Sequence, residues 1–172
     1  MEFTGYRLDL SKIKLVFCDF DDTICIHLSN NINRPTVEEW DNARGEGYEG
    51  IYTETFKDIT VPNEFLHKWL LTYVTDAEKY LLSMTEPCFL DAKLHYAREK
   101  FADVRFDGAY GSLSVEGKTA VLKYIASERG LEHNELLLIE DHPTAIEIAR
   151  SAGFSAISTI EVAYMVSEEM FK

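Results

Sequence analysis

The chain has 172 residues, 46% of them hydrophobic and 27% charged, the balance of one globular domain. Thirty acidic residues against 17 Lys and Arg leave a formal charge of −13, which argues against nucleic acid or anionic membrane as partners. Cys18, Cys25 and Cys88 suggest neither a disulfide framework nor a Cys-x-x-Cys metal pattern, and no apolar run approaches the roughly 18 residues that span a bilayer. Met1 to Lys14 has no signal-peptide core and the chain has no glycosylation sequon, so a reducing cytoplasm is the expected location.

Residues 1–13 read as a lead-in, with Leu8, Leu10 and Ile13 packing on a sheet. The first strand is expected at 14–19. Leu15-Val16-Phe17-Cys18 is apolar throughout, as in a strand buried on both faces. It stops at Asp19, Asp21 and Asp22. Clustered carboxylates repel, so one must hold a proton or a cation must sit among them. In a parallel sheet, ligands bind at the carboxyl ends of the strands. The same stretch also reads as a polar turn, with Asp22 or Thr23 capping a helical turn.

Residues 24–60 are irregular, broken by Asn30, Asn31, Asn33, Pro35, Gly45, Gly47 and Gly50. Thr36-Val-Glu-Glu is a capping box for a short helix carrying Trp40, and Gly50 to Phe56 alternates in part like a hairpin arm. So long a stretch is usually a lid, a binding loop or disorder. Pro62 is expected to open a helix reaching Tyr73, with Phe65, Trp69 and Leu70 facing the sheet.

Tyr80 to Thr85 reads as a second strand tipped by Ser83 and Thr85, and Asp91 to Phe101 as a helix. A weak strand is expected near Val104–Phe106, with turns at Gly108 and Gly111. Lys118 to Glu128 is helical, closed by Gly130. Glu135 to Asp141 is the cleanest strand and again ends in acids. A helix from Pro143 to Ala152, a strand from Phe154 to Thr159 and a helix from Glu161 to Met170 complete the chain.

Alternating strands and helices argue an α/β fold with a parallel sheet and helices on both faces. One rim then carries Asp19 and Asp21, Ser83 and Thr85, and Glu140 and Asp141. Clustered acids oppose folding, so stability does not explain their convergence there.

These segments resemble the haloacid dehalogenase-like superfamily of phosphohydrolases. Its first motif is an apolar strand followed by Asp-x-Asp-x-Thr, here Asp19-Phe20-Asp21-Asp22-Thr23. A strand-end Ser or Thr matches Ser83, a Lys near a helix start matches Lys118, and an apolar strand followed by acids matches Leu136 to Asp141. The four lie in order over residues 14–155. The resemblance implies one core domain over 1–172, a doubly wound, mainly parallel, Rossmann-like sheet, with a small cap or flap inserted at about 26–60. It implies an Mg²⁺-dependent phosphomonoesterase acting through an aspartyl-phosphate on a small phosphorylated metabolite.

The implied roles go residue by residue. Asp19 would be the nucleophile. Asp21 would protonate the leaving oxygen and then take a proton from water, and its backbone carbonyl would join Asp19 and Asp141 at Mg²⁺. Ser83 would hydrogen-bond the phosphoryl group, and Lys118 would neutralise it and orient Asp19. The fourth motif departs from the commoner Gly-Asp: Glu140 precedes Asp141 and position 145 is Ala, a variant also seen among sugar-phosphate mutases. Glu140 would ligate the metal directly or through water, or be a solvated strand end. His142 reads as a loop residue that touches substrate or simply packs.

Asp21 argues against a dehalogenase, which has no use for an acid there. The short insertion leaves the site open or covered by a second copy of the chain. Arg34, Arg44, Trp40, Tyr48 and Tyr52 would read the leaving group or pack within the loop. Two alternatives share the fold: a phosphate-binding or regulatory module with little turnover, and a phosphomutase or phosphotransferase. Receiver-type signalling domains put the phosphorylated Asp on a different strand from the metal acids. A mutase needs a larger cap.

Overall fold

The main sheet is built of β3 (Leu15–Cys18), β6 (Glu78–Met84), β7 (Gly108–Ser112), β8 (Leu136–Glu140) and β9 (Ser155–Ser158). Hydrogen bonding joins them in the order β7-β6-β3-β8-β9, all parallel. The structure is a computed structural model and describes residues 2–3, 6–28, 51–55 and 57–170. Five α-helices among the described residues follow in chain order: α1 (Glu64–Tyr73), α2 (Pro87–Lys100), α3 (Val115–Arg129), α4 (Pro143–Ser151) and α5 (Thr159–Met170). Two small antiparallel pairs are separate from this sheet, β1 (Glu2–Phe3) with β2 (Tyr6–Arg7) and β4 (Cys25–His27) with β5 (Thr60–Pro62).

Side chains alternate across a strand, so β3 feeds two cores. Val16 and Cys18 join Leu66, Trp69, Tyr96 and Met165, which brings α1, α2 and α5 to one face. Leu15 and Phe17 join Leu122, Ile125, Ile146 and Ala149, which brings α3 and α4 to the other. Each fully buried large apolar side chain contributes roughly 1.5–3 kcal/mol. This is the expected α/β, doubly wound, Rossmann-like sheet. The strand order reverses direction between β3 and β8, where such sheets bind ligands.

Several local expectations are corrected. Pro62 ends β5, and Asn63 caps α1, its Oδ1 accepting the Leu66 N–H at 3.1 Å. Phe65 is 46% exposed, and Leu66 takes the inward place beside Trp69 and Leu70. Residues Ile51–Thr55 form a turn of π-helix rather than a hairpin arm, because consecutive Ile51 and Tyr52 are both buried and cannot alternate. The strand expected near Val104–Phe106 lies at Gly108–Ser112. Gly111 is a strand residue there: a Cβ on it would stand 3.2 Å from a Leu90 methyl. The capping box at Thr36, with Arg34, Trp40, Arg44 and Tyr48, lies outside the described residues.

Candidate active site

Backbone pairing continues one residue past β3, where the Asp19 N–H donates to the Ile139 carbonyl at 2.9 Å. The chain then folds tightly. The Phe20 carbonyl accepts the N–H groups of Ile24 and Cys25, both at 2.9 Å. Asp22 adopts φ 53°, a left-handed conformation that Asp tolerates better than most residues. Its carboxylate accepts the His27 N–H at 3.1 Å. Asn63 holds this turn from outside, its Nδ2 donating to the Thr23 carbonyl at 2.9 Å. One side chain therefore joins the start of α1 to the loop that presents Asp21.

Asp19 and Glu140 are buried at the ends of the adjacent strands β3 and β8. Lys118 reaches both from α3. The Ser114 hydroxyl caps that helix by accepting the Gly117 N–H at 3.0 Å, so Lys118 sits at the close of its first turn. Its Nζ donates to Asp19 Oδ1 at 2.7 Å and to Glu140 Oε2 at 2.6 Å. Glu140 Oε1 accepts the backbone N–H of His142 at 3.3 Å. Asp141 is exposed beside them. One carboxylate oxygen from each of Asp19, Glu140 and Asp141 lies within 4.8 Å of the others.

A single ammonium cannot neutralise two buried carboxylates. Desolvation, followed by the charge of Asp19, pushes Glu140 up to about 7. Burial likewise raises Asp19, against the pull of Lys118. Desolvation opposes the charge on Lys118, but the two carboxylates outweigh it and strengthen its hold on its proton. The cluster has excess negative charge, hard oxygen donors and one solvent-facing carboxylate. That donor set fits a small divalent cation such as Mg²⁺.

Asp21 has different partners. Its Oδ2 accepts from Lys93 Nζ at 2.6 Å, and its Oδ1 lies 3.0 Å from His27 Nε2. Desolvation works against ionisation, but the His27 hydrogen bond and the Lys93 charge outweigh it and lower the carboxyl to about 2. Lys93 also donates to Ser83 Oγ at 2.9 Å. A cavity of about 150 Å³ has Asp19, Asp21, Ser83, Lys118, Glu140, Asp141 and His142 among its lining residues.

All six residues expected at the site therefore meet at one cavity. The Asp21 carboxylate is not among the clustered oxygens, since it turns to Lys93 and His27. Thr85 is not part of the lining, and Tyr52 packs in the core, its ring centroid 4.8 Å from that of Phe20. Lys93 and His27 are not among the site residues expected from the sequence. The signal for Lys93 was its place among Phe89, Ala92, Tyr96 and Ala97, the buried stripe of α2, where a lysine needs an acidic partner. His27 carries no comparable sequence signal.

No protein-family model matches the chain, and no curated protein is similar to it in sequence. Solved structures are similar in fold. A haloacid dehalogenase-like family hydrolase from Xanthomonas campestris matches with a TM-score of 0.53 and 13% identity, over 86% of this chain and 82% of that one. A haloacid dehalogenase-like family protein from Streptococcus pneumoniae gives 0.52 and 19%, over 86% and 85%. A superfamily hydrolase of subfamily IA from Geobacter sulfurreducens gives 0.51 and 12%, over 86% and 87%. At these identities the likeness is one of fold.

Proposed function

The chain has the haloacid dehalogenase-like fold, and on that premise we propose that it is an Mg²⁺-dependent phosphomonoesterase acting on a small phosphorylated metabolite. The observation that carries this reading is the meeting of Asp19, Glu140 and Asp141 within 4.8 Å, with Lys118 2.7 Å from Asp19.

In this reading an Asp19 oxygen attacks phosphorus, and the bond from phosphorus to the leaving oxygen breaks. The leaving oxygen takes its proton from Asp21. Asp21 starts as a carboxylate and takes that proton up from solvent water as the phosphate dianion arrives beside it, because the added negative charge raises its proton affinity. Water then attacks phosphorus and gives one proton to Asp21. The acyl-phosphate P–O bond breaks, restoring the Asp19 carboxylate and releasing phosphate. Lys118 holds Asp19 in line and offsets the charge of the phosphoryl oxygens, and Ser83 donates to one of them. Asp19, Asp141 and Glu140, with the Asp21 backbone carbonyl, would hold the Mg²⁺. When bound, such an ion would supply the positive charge that offsets repulsion of the anionic nucleophile and phosphate.

The test is phosphate release from p-nitrophenyl phosphate and from a panel of phosphorylated metabolites. Turnover that needs Mg²⁺ and is lost in Asp19→Asn supports the reading. Turnover that survives both Asp19→Asn and a chelator, or no turnover on any substrate, overturns it.

A further inference from the structure

Two lysines enter the site from opposite faces of the sheet, and each ties β3 to one of its neighbours. Lys118, on α3, spans Asp19 and the Glu140 of β8. Lys93, two turns into α2, spans Asp21 and the Ser83 of β6. Lys93 is 3% exposed, and its ammonium also lies 5.0 Å from the centre of the Phe20 ring. Burying a lysine is costly unless its charge is matched, and here the match is a site carboxylate.

An ammonium has three donors and no acceptor. The Ser83 oxygen is therefore the acceptor in its bond with Lys93, and the Ser83 proton must point elsewhere. Among the described residues, Ser83 Oγ has no other hydrogen-bond partner, and Ser83 lines the cavity. The arrangement leaves the hydroxyl one role, that of donor to whatever fills the cavity. The same ammonium fixes the Asp21 carboxylate at the same wall.

We propose that Lys93 is a positioning residue for the phosphoryl site, acting through Ser83, whose proton it turns into the cavity, and through Asp21, whose carboxylate it holds. The assignment rests on the phosphatase reading above. It makes α2 part of the active-site scaffold, as α3 is through Lys118.

The experiment is a double-mutant cycle of Lys93→Met and Ser83→Ala, with Lys93→Arg as the conservative variant. kcat and KM are measured on two substrates, p-nitrophenyl phosphate, whose leaving group needs no proton, and glycerol phosphate, whose leaving group does. On the aryl ester each single variant is expected to lose about a hundredfold in kcat, and the double variant little more than either. On the alkyl ester Lys93→Met is expected to lose about tenfold more than Ser83→Ala, because Asp21 is also released. Lys93→Arg is expected to recover part of both losses. Multiplicative losses in the cycle, or equal losses for Lys93→Met and Lys93→Arg, would overturn the assignment. If Lys93→Met does not fold, the same cycle is run with Lys93→Arg and Ser83→Ala and judged for non-additivity. If the parent protein turns over neither ester, the phosphatase reading is judged separately by the metabolite panel. The cycle is then read by calorimetric binding of inorganic phosphate, where additive effects overturn the role of Lys93 and non-additive effects support it.

Discussion

Asp19 and Glu140, at the ends of neighbouring parallel strands, share the one ammonium of Lys118 at 2.7 and 2.6 Å. Two buried anions and one cation leave an unbalanced charge, and the exposed Asp141 beside them adds a third carboxylate.

A divalent ion bound there would relieve that imbalance and stabilise only the folded chain, which alone assembles the three carboxylates. At a hundred times its dissociation constant, Mg²⁺ is expected to add about 2.7 kcal/mol of stability. For a chain of this size that raises the melting temperature by about 5–10 °C. Asp141→Asn should abolish most of the rise, as measured by thermal unfolding with and without Mg²⁺. An unchanged rise in that variant would remove Asp141 from the metal site.

Metal affinity should depend on pH with a definite sign. In the metal-free folded chain Glu140 keeps its proton up to about pH 7, whereas an unfolded Glu releases it near about 4.3. Between those values the folded form binds more protons, so this group's contribution to stability falls as pH rises through the window. Asp19 shifts in the same direction. An ion held by Glu140 must displace that proton, so Mg²⁺ affinity should fall by about tenfold per pH unit below about 7. Calorimetric titration at about pH 6 and about pH 8 checks this linkage. Equal affinity at the two would show that the ion does not displace the Glu140 proton.

Lys118→Met strands two buried carboxylates. The expected cost is about 3–5 kcal/mol in the metal-free protein, seen as a lower urea midpoint. Added Mg²⁺ should recover part of it. Phosphatase turnover should fall by at least about a hundredfold. A variant as stable as the parent without Mg²⁺ would contradict the shared-ammonium account.

Asn63 performs two tasks that can be separated. Asn63→Ala loses the cap of α1 and the donor to Thr23, at a cost of about 1–2 kcal/mol. Asn63→Asp keeps the cap acceptor and loses only the donor. Its stability should lie between parent and alanine variant, while its kcat falls because the loop bearing Asp21 is loosened. Equal stability of the two variants in urea would show that the cap contributes nothing.

Short-range patterns made much of the site readable in advance. Leu15 to Cys18 and Leu136 to Ile139 are continuous apolar runs that fit only strands buried on both faces, and each delivers acids at its carboxyl end. Elsewhere the local pattern misleads, through packing by a distant neighbour in one case and through a helix cap in the other. Gly108 and Gly111 look like turn residues, yet they belong to β7, because Tyr80 and Leu90 pack close against their bare backbone. Phe65 has the spacing of a core residue, but the Asn63 cap sets the start of α1 and turns Leu66 inward in its place.

Local residue order by itself determined the alternation of strands and helices and the rim on which Asp19, Asp21, Ser83, Glu140 and Asp141 gather. Those features follow from hydrophobic period and strand direction, which are properties of contiguous residues. Only the tertiary structure decided the remaining pairings: Lys118 with Glu140 as well as the expected Asp19, and Lys93 with Asp21 and Ser83. Such pairing depends on which helix packs on which face of the sheet and how far its side chains reach, and no stretch of neighbouring residues carries that information.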